Sequence, residues 1–501
     1  MTRLEAAMAN GRIKKSTWLM ATECATQAWL SMRERLDSPN EAERFRMEQG
    51  QEIGRLAREL YPDGVFVVEG HREDQAITTR RVLQDTGTTA LFEAEFRHAS
   101  FVARADILTR EDDGWHLLEV KSSFADTDAL DELVDDLAYT VMVARATGLS
   151  VLRSSLVLLS REYRHGDEVS ALFEVVDQTE AVNALLTDAT ERLAHVEASL
   201  LSGKRPDARL VRACRYCPFF EEKCLGAGIK HSIFELPRLH PTKLNLLSAA
   251  GIVALEDVPE DFSLTDSQAR ARECALSGKI LVSPELTDAL SGMVMPFHYL
   301  DFETVTTFLP LYEGRGCHEQ VLTQFSAHHC GVPGQLIGHD EFLADPVRDC
   351  ERELAERLIS VLGDRGSIMV YSAFEKTRMK ALAKRFPDLA GSLESAVERF
   401  VDLYELISRH VYHPDFKGSF SIKMVLPALV PTLSYEGLEI GDGGAAIMRL
   451  ARMARGEMPT DQIERTRQAL LEYCRLDTLA MVRLHERLCS FFHDERRGSR
   501  Q

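Results

Sequence analysis

The sequence predicts an α/β fold in two modules joined by a small helical linker, and three observations lead there. Residues 1–230 begin helical, pass through strand-like runs (GVFVV, ALFEAEF, SFVARADIL, WHLLEVKSS, SSLVLLS) interrupted by a helical stretch near 126–148, and close in a cysteine cluster. Residues 231–292 hold short helical segments, of which HPTKLNLLSAAGIVALEDVP has the cadence of two small helices around a glycine turn, like a helix-hairpin-helix. Residues 293–501 open on the strand FHYLDFETV and return, after a helical run, to a second buried strand, SIMVYSA. That alternation is the mark of α/β units. A chain of 501 residues has room for such a division, because domains usually run to about 100–200 residues.

Composition narrows the class. Hydrophobic residues make up 45% and charged residues 27%, the mix of a chain with ample core material. No apolar run approaches the ~18–20 residues needed to cross a bilayer, and the first twenty residues lack the apolar centre of a signal peptide. A cytoplasmic protein with no membrane partner is expected. The net charge of −19 argues against a wholly basic nucleic-acid coat. It leaves room for carboxylates that gather cations and so reverse the local sign. Lys376, Arg378, Lys380, Lys384 and Arg385 form the most basic short stretch, read either as a phosphate-binding patch or as a solvated helix face.

SFVARADIL, the turn-like REDDGW and HLLEVKSS read together as a β-hairpin. Alternate strand residues share a face, so Glu119 and Lys121 point the same way as Trp115 and Leu117. Asp106 lies near the end of the preceding strand. Charged groups among inward apolar ones need a metal, a partner or water. Two carboxylates hold a hard cation, and a nearby lysine orients a water or stabilises leaving charge. A surface Glu/Lys pair on an edge strand is the competing reading.

Ten cysteines are present. Cys274, Cys317, Cys330, Cys350, Cys474 and Cys489 are scattered, as core or surface thiols are. Cys214, Cys217 and Cys224 fall within RACRYCPFFEEKC, and Cys24 supplies a fourth thiol in the same region. Four thiolates suit zinc or an iron–sulfur cluster, and either would close a loop of about 190 residues.

One cysteine before a D…ExK core and three after it resemble the RecB-type nucleases of the PD-(D/E)xK restriction-endonuclease-like superfamily that carry an iron–sulfur staple, among them the CRISPR-adaptation and AddB nucleases. The likeness covers about residues 14–230. It implies Asp106 and Glu119 as metal ligands, Lys121 as the catalytic lysine, the four cysteines as ligands of a [4Fe-4S] cluster, and Glu93, or else Glu95, as an upstream acidic ligand. The chain departs from that pattern twice. Its early helix, GQEIGRLARELYP, has no histidine, and DDLAYTVMVAR offers Tyr139 and Thr140 with no glutamine.

In FHYLDFETV, Asp301 and Glu303 project from one face of a strand whose neighbours Phe297, Leu300 and Phe302 mark it as buried. Two adjacent buried carboxylates repel unless a cation joins them. LEYCRLDTLAMVRLHERL reads as a helix with Tyr473 and Asp477 on one face, and Glu375 opens a helix after SIMVYSA. Carboxylates so gathered hold two ions about 3.5–4 Å apart across a phosphodiester, with the tyrosine positioning water. The order resembles DnaQ-type 3′–5′ exonucleases, an RNase H-like fold, in their tyrosine-containing branch, over about residues 295–490. Glu375 stands where that family normally has Asp, and Asp402 is either a non-catalytic companion or the missing ligand.

The two modules together resemble an uncharacterised bacterial family, domain-of-unknown-function family 2779. The phrase HPDFKGSFSIKMVLPALVP at 413–431 looks typical of it, with Lys417, Ser419 and Lys423 as candidate substrate contacts. The expectation is a nuclease using Mg²⁺ or Mn²⁺ on nucleic acid, DNA before RNA and single-stranded ends before duplex. A nucleic-acid-binding or scaffold protein with degenerate sites is the alternative.

Overall fold

The helix Glu41–Ala57 opens on a reciprocal cap: Asn40 Oδ1 accepts the Glu43 amide at 2.8 Å and Glu43 returns the bond to the Asn40 amide. It is one of the elements in a computed structural model that describes residues 12–34, 38–67 and 74–498. The end of the GVFVV run and the first eleven residues lie outside that set. The chain is a mixed α/β protein that divides into two units, one of residues 1–227 with 307–319, the other of residues 228–306 with 320–501. The expected linker, 231–292, is therefore part of the second unit. The segment 307–319, expected in the C-terminal module, packs in the first: Phe308 donates its amide to Gln49 at 2.9 Å, and Cys317 packs with Ile53, Leu159 and Leu172.

The first unit is built on strands β1 (Ile13–Lys14), β2 (Val65–Phe66), β3 (Ala90–His98), β4 (Phe101–Glu111), β5 (Gly114–Phe124), β6 (Val151–Leu159) and β7 (Phe173–Asp177), in the order β2-β3-β4-β5-β6-β7 with β1 beside β4. β3, β4 and β5 form an antiparallel meander that includes the expected hairpin, and β6 runs parallel to β5 after the crossover helix Leu130–Ala146. Both sheet faces are covered. Leu108, Leu117 and Leu156 pack with Val134 and Leu137 of the crossover helix, while Ile107, Leu118 and Val157 pack with Ala57. Burial on both faces explains why WHLLEV carries consecutive apolar residues rather than clean alternation. The Tyr139 hydroxyl, 2.8 Å from the Ile13 carbonyl and 3.0 Å from that of Val102, ties β1 to β4.

The second unit has a sheet in the order β11-β10-β9-β12-β13, from β9 (Phe297–Val305), β10 (Val321–Val332), β11 (Gln335–Leu343), β12 (Ser367–Val370) and β13 (Phe400–Asp402), with β8 (Leu281–Val282) and β14 (Val411–Tyr412) paired apart from it. β9, β10 and β11 are antiparallel; β12 lies parallel to both β9 and β13. Leu300 and Phe302 pack with Leu354, Leu358 and Met379 on one face of β9. Phe297 and Tyr299 pack on the other with Met481, Leu484 and Leu488 of the helix Thr460–Gly498. Strand alternation therefore turns Asp301 and Glu303 toward that long helix. In HPTKLNLLSAAGIVALEDVP the first helix is Pro241–Ala249, Gly251 takes the left-handed backbone (φ 70°), and the second expected helix is the short 3-10 turn Leu255–Asp257.

Candidate metal centre

Three oxygens converge in the second unit. Ligand atoms of Asp301, Glu303 and Asp477 all lie within 4.8 Å of one another. Two come from adjacent same-face positions of β9 and the third from the helix Thr460–Gly498. Three bonds fix that helix against β10: Gln324 Nε2 donates to the Leu470 carbonyl at 2.8 Å, and Thr478 Oγ1 lies 2.8 Å from both Ser326 Oγ and His328 Nδ1; Ser326 in turn lies 2.9 Å from His339 Nε2 of β11. The buried histidines stay neutral because burial lowers their pKa, His328 to about 3.

The site is electrostatically unbalanced. Burial raises the pKa of Asp301 well above the usual range, and the charges of Asp477, Glu375 and Glu303 add to it. Glu303 and Glu375 are each pushed up to about 8, by burial first and then by neighbouring acids. Asp477 rises to about 6 through burial, held there by the Tyr435 hydroxyl and Lys423. Lys423 bonds the Gly441 carbonyl at 2.8 Å, and its ammonium lies 5.7 Å from the Tyr435 ring centre and 5.8 Å from that of Tyr473. Four carboxyl groups thus face one committed ammonium. Glu375 Oε2 is buried with no hydrogen-bond partner. An all-oxygen donor set with an orphaned carboxylate oxygen fits a hard divalent cation, which removes the repulsion.

Of the expected carboxylates, Asp301, Glu303 and Asp477 converge, while Glu375 lies outside that group and acts on it through charge. Tyr473 sits one helical turn before Asp477; burial, then Asp477, Glu303 and Asp301, raise its phenol pKa beyond the physiological range, so it acts as a neutral hydroxyl. Asp402 caps the helix Leu403–His410, accepting the Tyr404 and Glu405 amides at 2.8 and 3.2 Å, and it adds charge next to Glu375. Two partners were absent from the sequence reading. Tyr435 donates to Asp477 Oδ1 at 2.5 Å, and Cys474, counted as a plain thiol, donates to Asp301 Oδ2 at 3.4 Å. The spacing of Cys474 three residues before Asp477 was a legible cue; the loop position of Tyr435 offered none.

The raised carboxyl values set a pH dependence. Between the unfolded carboxyl range, about 4, and the folded value near 8, the metal-free native state holds protons that the unfolded state has released, so its stability falls as pH rises through that window. A divalent ion displaces those protons. The thermal shift on adding Mn²⁺ should therefore be larger at pH 8.5 than at pH 6; an equal or smaller shift at pH 8.5 contradicts this assignment.

The first unit gathers its own group. Pairing of Ile107 with Leu118 sets Asp106 opposite Glu119, and Asp106 Oδ2 accepts the Val120 amide at 2.8 Å. Burial, then the Glu119 charge, push Asp106 up to about 8. Glu93 occupies an unpaired position of β3 with φ 57°, a conformation costly for a residue with a Cβ, and burial raises its pKa against the pull of Arg104 and Arg58. Glu95 is instead bound to Arg97 at 2.5 Å and lies 3.5 Å from Arg104. Lys121 bonds Glu119 at 3.2 Å and also pairs with Asp136. Lys15, unnoticed in the sequence, pairs with Glu119 and lies 3.4 Å from Asp136. Thr140 donates to Glu119 Oε2 at 3.4 Å, and Tyr139 faces away to β1.

The four expected cysteines lie in one neighbourhood, close enough for the others to act on Cys214 by charge, but among the described residues they do not converge within 4.8 Å as the acidic group does. Burial raises the Cys214 thiol to about 11, and Cys24, Cys217 and Cys224 add to the rise. Backbone amides point at the sulfurs: Gln27 to Cys24 and Val211 to Cys214, both at 3.4 Å. Trp29 and Arg33 bond the Ser202 carbonyl at 3.3 and 3.2 Å, holding the early helix against the later chain. Crowded thiols receiving N–H bonds fit a soft metal or cluster, whose charge would lower their pKa.

Fold and site together define a mixed α/β protein with a buried carboxylate centre. Residues 298–421 match a family model described as a domain of unknown function, DUF2779. The matched segment contains Asp301, Glu303, Glu375 and Asp402 and ends before Lys423, Tyr435, Tyr473 and Asp477. No curated protein matches the chain. Among the described residues, no helix is long and apolar enough to cross a membrane.

Proposed function

We propose that the chain is a metal-dependent nuclease whose second unit hydrolyses phosphodiester bonds, with 3′–5′ trimming of single-stranded DNA ends as its reaction. The observation that carries this reading is the convergence of Asp301, Glu303 and Asp477 within 4.8 Å at the meeting of β9 and the long helix. In it, Asp301, Glu303 and Asp477 would hold Mg²⁺ or Mn²⁺, with Glu375, whose Oε2 is buried without a partner, adding negative charge nearby. An ion held there would supply activation of a water and neutralisation of charge on the phosphate. Tyr473, kept protonated, orients that water through its hydroxyl rather than deprotonating it. Tyr435 fixes the Asp477 carboxylate, and Lys423 presents positive charge on the same side. The glutamate at 375, one methylene longer than the aspartate of DnaQ-type enzymes, still reaches the cluster electrostatically. In the first unit, a restriction-endonuclease-like reading assigns Asp106, Glu119, Lys121 and Glu93 to a second centre and the four cysteines to a [4Fe-4S] cluster, with Zn²⁺ as the alternative.

The test is cleavage of end-labelled single-stranded DNA, duplex DNA and RNA by the purified chain with Mg²⁺ or Mn²⁺. Shortening of single-stranded DNA from its 3′ end supports the proposal; no cleavage under any metal condition overturns it. A binding-only scaffold is the second reading, favoured in the first unit by the lysines already paired with its carboxylates. It requires nucleic-acid affinity with no turnover.

Lys376, Lys380 and Lys384 are exposed at four-residue spacing on the helix Phe374–Arg385, which also carries Glu375. Spacing of that kind makes one basic stripe. Arg385 is instead engaged by Asp349 at 3.1 Å, and Arg378 lies over Phe374. Replacing the three lysines with glutamine should flatten the salt dependence of single-strand binding by about 2 in log–log slope, since each phosphate contact contributes roughly 0.7. Fluorescence anisotropy across a salt series measures it, and an unchanged slope assigns the stripe to solvent.

A further inference from the structure

The two acidic centres differ in charge balance. In the second unit, among the described residues, the carboxylates face one ammonium, that of Lys423, itself bonded to a carbonyl. In the first, Glu119 Oε1 receives two ammonium groups, Lys15 and Lys121, and Glu119 Oε2 receives the Thr140 hydroxyl. Asp136 takes Lys121 as well, with Lys15 at 3.4 Å. Asp106 spends Oδ2 on the Val120 amide, and Glu93 lies 3.3 Å from Arg58. Every carboxylate of the D…ExK group has a cation or a donor from the chain itself. A divalent ion does not fit there as the side chains stand, because Glu119 is only 3% exposed and already neutralised.

Lys15 is not a loose surface side chain. It begins the helix Lys15–Glu23 directly after β1, which pairs with β4. Three residues on, Trp18 is buried against Phe101 and Tyr139, with ring centres 5.8 and 5.7 Å away. The backbone of this helix start is therefore held by packing that does not involve the ammonium. The ammonium is delivered to Glu119 from a residue 104 positions distant.

We propose that Lys15 is a tethered cation that closes the Glu119–Asp106 site to divalent metal, so that this carboxylate group stays free of Mg²⁺ and Mn²⁺ while the centre of the second unit is loaded. The two lysines have separable parts: Lys121 lies on the strand that carries Glu119 and bridges it to Asp136, whereas Lys15 comes from a different element and adds the second positive charge. Removing Lys15 leaves Glu119 with one ammonium, makes the group of Asp106, Glu119 and Asp136 one charge more negative, and opens a place for a hard cation. The inference depends on the first unit's geometry alone and stands or falls independently of the reaction proposed for the second unit.

The experiment is Mn²⁺ binding, followed by electron paramagnetic resonance, in the full chain carrying Asp301→Asn and Asp477→Asn to remove the second centre. With Lys15 present, no saturable site is expected in the first unit. Adding Lys15→Met, which keeps the aliphatic stem, should create one saturable site, with affinity raised roughly ten- to a hundredfold over the weak, non-saturating binding of the chain that keeps Lys15, the range set by losing one charge-assisted bond. Adding Glu119→Gln should abolish it. Equal Mn²⁺ binding with and without Lys15, removed in both cases by Glu119→Gln, overturns the proposal. So does failure of the Lys15→Met chain to bind. Lys15→Gln provides a second variant, and far-UV circular dichroism confirms that each is folded.

Discussion

Asp301→Asn and Asp477→Asn should each lower cleavage by at least about a thousandfold, the scale of several kcal/mol of charge stabilisation lost with a metal ligand. The same variants should make the metal-free chain more stable. Asp301 is buried among Glu303, Glu375 and Asp477, and its charge is disfavoured by burial and by each of them. An amide of the same shape keeps the acceptor for Cys474 and relieves the repulsion. A rise of roughly 2–4 °C in midpoint per kcal/mol recovered is expected without metal at pH 8. Gain of stability together with loss of activity is the pattern of a functional strain site rather than of a core defect. If Asp301→Asn lost activity by lowering stability instead, the carboxylate would be structural.

Cys214→Ser should have the second large effect. The four thiols bring residue 24 beside residues 214–224, and each raises the Cys214 pKa beyond what burial does. A bound cluster or zinc turns that crowding into favourable ligation, and metal-site binding energy becomes folding energy. Loss of one ligand should remove the iron or zinc, bleach any sulfur-to-iron charge-transfer colour, and destabilise the first unit by more than about 3 kcal/mol. Metal analysis and thermal unfolding of anaerobically purified protein measure both effects. A wild-type chain free of iron and zinc, with a melting curve unchanged by Cys214→Ser, would show the thiols to be packing residues.

Much of this arrangement was legible in the sequence because charge interrupts apolar periodicity. Asp301 and Glu303 stand out in FHYLDFETV since a buried strand has no other reason to hold two acids, and Asp477 stands out from its spacing to Tyr473. The D…ExK hairpin was readable from strand parity and a turn, and Cys24 from being the one remaining cysteine of its region. Partners that depend on tertiary closure were hidden. Tyr435 reaches Asp477 across 42 residues from a loop with no periodic signal. Lys15 follows Lys14 with no local pattern pointing to a partner, yet pairs with a glutamate in the sheet. The 307–319 segment packs with the first unit through Phe308 and Cys317, ordinary side chains whose partners lie far away in sequence. Gln324, Ser326 and Thr478 set the register of the long helix by polar bonds that no local pattern announces.

The measurement that bears most directly on the central claim is anomalous diffraction from a crystal soaked in manganese. Anomalous density seated among Asp301, Glu303 and Asp477, and missing from the Asp301→Asn crystal, is the expected result. A fully soaked crystal with no manganese between β9 and the long helix would contradict the account.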